Sequence, residues 1–286
     1  MKIGSNEVDM TGNGKLIGAA APYGLDTLSS YRMVEEKYIG RVIYLTFKTE
    51  TDLSPWIPAP LKAVDPHSAF LKLYYLTRNP VGEEARGIGY SAYHEVCLTV
   101  GVTYPGDPAE RHYNIGMWLD RDWAIYKARE VLGWPKKMAD IDLVWPIVPE
   151  EGSKFSDVGT RKTFGARISR YGSPIIEMEG ALRDDIAPSK VPPFQGFYSV
   201  RHIVAPDGDP KNRIRQLLRI DTHSGWASEP AFAEASLKFG SCGDENLAVL
   251  GDAKVTGCSL RETGWVLPAF PATIIEEDMD FEPLVG

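Results

Sequence analysis

The sequence predicts an α+β fold that is mostly antiparallel β, a sheet closing on itself into a barrel-like core with a few helices outside. Three observations lead there. The 27 glycines and 21 prolines are spread evenly through 286 residues, which divides the chain into short segments and favours strands and turns over long helices. Ten segments rich in β-branched and aromatic residues read as strands. Hairpin-like turns such as Pro206-Asp207-Gly208 separate neighbouring segments, as antiparallel pairing requires.

In chain order, the candidate strands are Arg41–Phe47, Ala69–Leu76, Tyr93–Val102, His112–Leu119, Lys137–Trp145, Lys162–Arg170, Ile175–Ala181, Phe197–Val204, Ile214–Asp221 and Lys254–Leu260. Two helices are expected between them. Asp122 to Leu132 places Ile125, Ala128, Val131 and Leu132 at helical spacing, begins with an acidic residue and has Gly133 just past its end. Pro230 to Phe239 begins with a proline, whose missing N–H costs little in the first turn of a helix. Residues 1–15 and 276–286 are polar and expected to be mobile tails. No Pro/Ser-rich linker divides the chain, so residues 1–286 are expected to form a single domain.

A hydrophobic share of 43% supports a sizeable core, and a formal charge of −8 argues against nucleic acid or an anionic membrane as the main partner. No apolar run is long enough to span a bilayer, and Met1 to Lys15 lacks the pattern of a signal peptide. Cys97, Cys242 and Cys258 are odd in number and lack a Cys-x-x-Cys, which fits a reducing compartment and neither a disulfide framework nor a zinc site. The five histidines show no i, i+4 ligand pairing. A cytoplasmic protein without cofactor or metal is the expectation.

The most informative stretch runs from Ala128 to Lys137 and ends in Gly133-Trp134-Pro135-Lys136-Lys137. It joins the first expected helix to a strand and leaves two adjacent lysines at the junction. A nucleophilic amine must be neutral, and an unperturbed lysine is neutral only about once in 10³ at pH 7. A nearby cation or an apolar wall corrects this. Lys137 and burial near Trp134 are the expected sources for Lys136. Successive strand side chains point to opposite faces, so burial is expected to act alongside, or ahead of, Lys137.

This stretch resembles the acetoacetate decarboxylase family, whose members carry Arg-Glu, a short gap and Pro-Lys-Lys; here these are Arg129-Glu130 and Pro135-Lys136-Lys137. The likeness extends more weakly from about Val34 to Ile275. It takes in the Leu53 to Leu61 stretch with its Pro-x-Pro-Leu, Tyr93-x-Glu95, and a Gly-Trp before the Pro-started segment at Gly225 to Phe239. The resemblance implies a β-barrel-like core, a Schiff base on the first lysine of the pair, Lys136, and no cofactor beyond that imine. It also implies a homo-oligomer, for which strands apolar on both faces, such as Ile175–Ala181 and Tyr93–Val102, offer compatible support.

Alternation along Tyr93–Val100 puts Tyr93, Glu95, Cys97 and Thr99 on one face and apolar residues on the other. The mixed face lines a cavity or meets solvent; the resemblance implies that Glu95 lies in a pocket and moves protons, with Tyr93 available as a phenolic donor or for core packing. Arg41 shares a strand face with Ile43, Leu45 and Phe47. A charge there needs a partner, either Glu95 or a substrate carboxylate, and the resemblance implies the latter once a one- or two-residue gap is allowed. One departure stands out: Leu71 falls where the decarboxylases carry a second pocket glutamate.

These readings converge on a lysine Schiff-base lyase acting on a small keto acid. The lost glutamate favours a non-decarboxylating aldolase-dehydratase that uses pyruvate and an aldehyde. The alternatives are a decarboxylase of acetoacetate or another β-keto acid and, in another class, a catalytically silent barrel that binds a small molecule.

Overall fold

β-Branched and aromatic residues dominate the long segments of this chain, and in the computed structural model they form one extended, strongly folded sheet. The structure describes residues 35–80, 91–147, 162–186, 196–207 and 209–279. The strands are β1 (Glu36–Lys48), β2 (Lys62–Ala63), β3 (Ser68–Pro80), β4 (Ser91–Tyr104), β5 (Asp107–Leu119), β6 (Lys136–Met138), β7 (Asp140–Val144), β8 (Thr163–Arg170) and β9 (Ser173–Leu182). They continue with β10 (Phe197–Ile203), β11 (Ile214–Ile220), β12 (His223–Ala227), β13 (Ala231–Phe239), β14 (Ser241–Cys242), β15 (Glu245–Asn246), β16 (Lys254–Leu267) and β17 (Ala272–Glu277). A single α-helix, α1 (Trp123–Glu130), precedes β6 among the described residues.

The main sheet runs β17-β11-β10-β5-β4-β3-β1-β16-β13-β9-β8-β7, with β12 on β16, β2 on β4 and β6 on β5. Its pairs are antiparallel except β10 with β5 and β5 with β6. The expected closure into a barrel does not occur: β17 and β7 end the path without pairing to each other. The burial pattern gives the physical reason. Val42 to Leu45, Ala69 to Leu73 and Glu95 to Val100 are consecutively buried, so the central strands are covered on both faces. One flank supplies the first cover: Phe47 of β1 packs on Phe239 of β13 with ring centroids 5.4 Å apart, in a core shared with Ile168 of β8 and Ile176 of β9. The other flank supplies the second, where Phe197 of β10 lies over Lys72 of β3. A sheet that folds over both faces of its own centre has no need to close.

Three other expectations change. The segment Pro230 to Phe239 is a strand, not a helix; Ala233 and Phe239 turn inward while Glu234 is exposed, a two-residue period that the sheet imposes over helix propensity. The single strand expected over Lys137–Trp145 breaks at Ala139, whose N–H bonds to Leu119 O at 3.0 Å, so β6 pairs with β5 while β7 pairs with β8. The tail expected from 276 begins too early: Glu276 and Glu277 belong to β17 and Met279 is buried. Residues 1–15 and 280–286 of the expected tails, and Gly208 of the expected turn, lie outside the described residues.

Candidate active site

The site is built where α1 hands over to β6. Asp122 accepts from the Trp123 N–H at 2.7 Å to start the helix. At its end Gly133 takes φ +66°, and a Cβ there would lie 2.6 Å from the backbone of Val200. This left-handed glycine turns the chain at the helix C-terminus. Ser199 and Arg201 of β10 donate to the carbonyls of Leu132 and Glu130, both at 2.5 Å. Arg129, the motif arginine, donates to Lys136 O at 3.3 Å. The turn is thereby fixed, and β6 enters beside β5 with Lys136 opposite Met117.

From there, register decides which side chains meet. Lys136, Met117, Cys97, Lys72 and Tyr44 form one row across β6, β5, β4, β3 and β1. Glu95, Tyr74, Val42 and Arg261 form the next row across β4, β3, β1 and β16. Residues directly opposite share a face, so both rows look toward Trp134 and Phe197. Between them lies an inner chamber of about 50 Å³, lined by Lys136, Glu95, Tyr93, Cys97, Asn114 and Trp134 among others. It adjoins an outer chamber of about 400 Å³ bordered by Tyr44, His112, Arg261 and Trp226. Lys72, Tyr74, Phe197, Thr222 and Trp265 line both.

Lys136 and Glu95 form the centre. The Lys136 ammonium donates to Glu95 Oε2 at 2.5 Å, and both side chains are almost fully buried, 4% and 8% exposed. The ammonium also lies 5.3 Å from the Trp134 ring and 5.8 Å from that of Tyr93. Cys97 Sγ approaches the second carboxylate oxygen at 3.6 Å. Burial, reinforced by Glu95, raises the Tyr93 phenol well above its usual range, so Tyr93 faces the chamber as a neutral phenol. Its ring packs edge-on against Trp123 at 5.2 Å.

Two residues named from the sequence lie elsewhere. Lys137 turns to the opposite face, where it meets Glu245 at 2.8 Å and Asp244 at 3.5 Å. The strand alternation that placed Lys136 inward excludes Lys137 from the chamber. Arg41 keeps the company of Ile43 and Leu45 on its strand, but that face is not the one the cavity uses. It is 56% exposed and faces Glu262 at 3.7 Å in a surface depression with Tyr75 and Trp226. Leu71 is likewise buried in the core on the far face. The cavity-facing neighbour is Lys72.

A profile of the family described as acetoacetate decarboxylase (ADC) matches residues 19–270. The chain belongs to the acetoacetate decarboxylase family. Among curated relatives, "Acetoacetate decarboxylase 3" of Mesorhizobium japonicum is 29% identical over 207 residues, 70% of either chain. The acetoacetate decarboxylase of Burkholderia multivorans is 30% identical over 115 residues, a match spanning only 40% of its length and 39% of this chain. Among solved structures, an acetoacetate decarboxylase-like enzyme from Sphingomonas wittichii RW1 superposes with a TM-score of 0.73 at 17% identity, covering 87% of this chain and 95% of that one. The enduracididine biosynthesis enzyme MppR, complexed with the condensation product of pyruvate and imidazole 4-carboxaldehyde, gives 0.67 at 16% identity over 85% of this chain and 91% of its own. These likenesses carry the fold.

Within this family framework, sequence reasoning missed Lys72. It is 3% exposed, its ammonium donates to His112 Nδ1 at 2.9 Å, and it lies 5.3 Å from the Phe197 ring. Burial lowers its pKa to about 8. Burial and the neighbouring Lys72 hold His112 well below the usual imidazole range, so His112 is the neutral acceptor. The signal was available: Phe70-Leu71-Lys72-Leu73-Tyr74 alternates, and its polar member marks the cavity face. Among the described residues lining the two chambers, the cations are Lys72, Lys136 and Arg261, and Glu95 is the one carboxylate.

Proposed function

We propose that the chain is a cofactor-independent lyase that forms an imine between Lys136 and a small keto acid, and, by analogy with the condensation product held in the MppR complex, that it condenses pyruvate with an aldehyde rather than releasing CO₂. The observation that carries the imine is the buried Lys136–Glu95 contact at 2.5 Å. Glu95 takes a proton from the ammonium. The freed amine attacks the ketone carbon, the carbinolamine loses water, and the protonated imine draws electrons from the adjacent carbon. For pyruvate, a base must then remove a methyl proton to give the enamine, and Glu95 is within reach of that task. The enamine adds to the aldehyde carbonyl, a second loss of water gives the unsaturated imine, and hydrolysis returns Lys136.

Decarboxylation of a β-keto acid would reach an enamine by breaking a carbon–carbon bond, with no base needed for that step. The names of the Mesorhizobium and Burkholderia relatives support this second reading. Two assays separate the readings: CO₂ release from acetoacetate, and formation of the condensation product from pyruvate plus an aldehyde. Condensation without rapid CO₂ release is the expected result. Rapid CO₂ release with no condensation product reverses the assignment. We also propose that the chain assembles as a homo-oligomer of even number, with exposed Ile39, Tyr75 and Trp226 around the Arg41 depression as the contact face.

A further inference from the structure

Asn114 lines the inner chamber and takes no part in the chemistry assigned to Lys136 and Glu95. An irregularity in β5 puts it there. His112 and Asn114 alternate onto the cavity face, and strict alternation would continue to Gly116. Instead the register with β4 shifts: Leu98 lies opposite Gly116 and Thr99 opposite Asn114, which leaves one extra residue on β5. Such a bulge re-aims the side chains that follow it. Here it brings Asn114 onto the same wall as Met117, the strand neighbour of Lys136.

Thr99 sets the orientation of the amide. Thr99 is fully buried, Asn114 is 3% exposed, and the Thr99 hydroxyl donates to Asn114 Oδ1 at 2.7 Å. With the amide oxygen engaged, the NH₂ group is the end left for the chamber, and among the described residues no oxygen accepts from it. A buried donor of this kind is costly unless something accepts from it.

The order of side chains along β4 says which part of a substrate meets it. Glu95, Cys97 and Thr99 follow one another on the chamber face, and Cys97 shares the row of Lys136 and Met117. Glu95 therefore lies on one side of that row and the Thr99–Asn114 pair on the other. Cys97 turns its thiol toward Glu95, and burial keeps that thiol protonated by raising its pKa. An imine carbon is planar and, besides its nitrogen, carries two substituents that diverge. In the pyruvate imine these are a methyl group and a carboxylate. The methyl faces Glu95 to lose its proton, so the carboxylate is turned to the other side of the row. Electrostatics agrees, because a carboxylate turned to Glu95 would meet a like charge.

We propose that Asn114 Nδ2 donates to the carboxylate of a 2-keto acid whose carbonyl carbon is held by Lys136, and that Thr99 is the positioning residue that keeps the donor end of the amide inward. A neutral amide supplies an N–H to the anion without setting a further charge beside the Lys136–Glu95 pair. It selects carbonyl compounds with the acid group on the adjacent carbon; a β-keto acid carries that group one carbon farther away. The identity of the captured carbonyl rests on the Schiff-base reading, whereas the donor at Asn114 does not.

The test compares pyruvate with 3-methyl-2-butanone, which has the same shape with an isopropyl group in place of the carboxylate. The half-saturating concentration for borohydride trapping is measured for each. Asn114→Leu should raise the pyruvate value about tenfold more than the ketone value, the size of effect that loss of one hydrogen bond to a charged group brings. Thr99→Val should move the ratio in the same direction, and Thr99→Ser, which keeps the hydroxyl, should restore it. If Asn114→Leu fails to fold by circular dichroism, the two Thr99 variants decide. Oxamate has the shape of pyruvate but an amide carbon that forms no imine, so its dissociation constant, measured by calorimetry, reads Asn114 apart from Lys136. That constant should rise about tenfold in Asn114→Leu. Equal shifts for pyruvate and the ketone, an oxamate affinity unchanged in Asn114→Leu, or no oxamate binding by the parent would overturn the proposal. Absence of trapping with either carbonyl, together with oxamate binding that depends on Asn114, would discard the imine and keep the donor.

Discussion

Replacing Lys72 with methionine should make this protein more stable, which is an uncommon result for a substitution at a site 3% exposed. The magnitude follows from its ionisation. Burial takes the ammonium from an ordinary 10.5 to about 8, and a displacement of about 2.5 units at 1.36 kcal/mol each corresponds to roughly 3 kcal/mol of folding free energy at neutral pH. Below pH 8 both folded and unfolded chains carry the proton, so the fold bears the whole cost. Between pH 8 and 10.5 the unfolded chain binds the proton and the folded one does not, so stability rises with pH and the cost disappears. Methionine has a similar length and no charge. Urea unfolding should therefore show Lys72→Met more stable than the parent by about 1 to 3 kcal/mol at pH 7, the lower bound allowing for loss of the His112 bond. The gap should close as pH approaches 10.5. A variant less stable than the parent at pH 7, with a gap that does not change with pH, would show that the interactions Lys72 makes outweigh the cost of burying its charge and that the reasoning is wrong.

Glu95→Gln keeps the shape of the chamber and removes its base; turnover should fall by about 10² to 10⁴, measured by steady-state kinetics with folding checked by circular dichroism. Lys137→Ala removes the ion pairs to Asp244 and Glu245 on the far face. It should cost about 1 kcal/mol of stability and leave the pH profile of activity in place; a displaced profile would return Lys137 to the chemistry. Light scattering at micromolar concentration should give an even multiple of 31.7 kDa, and the mass of one chain would refute the assembly proposal.

The sequence made the centre of the site legible because two local rules agreed there. A glycine-terminated helix followed by Pro-Lys-Lys fixed where β6 begins, and alternation along Tyr93 to Thr99 put Glu95 on a polar-lined face. Lys72 was hidden by a shift of one position: attention rested on Leu71, and a single residue in a strand exchanges the cavity face for the core face. Arg41 failed in the same way, since its apolar companions Ile43 and Leu45 belong to the core opposite the cavity. Ala231 to Phe239 misled through composition, because alanine, leucine and lysine after a proline favour a helix until neighbouring strands β9 and β16 offer a ladder. The open sheet could not be foreseen from strand spacing alone. It depends on which flank covers which face of the central strands, and that is a long-range property. The same double cover weakens one sequence argument for oligomerisation, since Glu95 to Val102 is buried by its own chain.

The central claim is that Lys136 is the nucleophile. Incubation with pyruvate or acetoacetate and borohydride, followed by peptide mass analysis, tests it most directly. The account predicts a stable adduct on Lys136 alone, lost in Lys136→Arg because guanidinium stays protonated, and retained in Lys72→Met. An adduct on Lys72, or none with any keto acid tried, would contradict it.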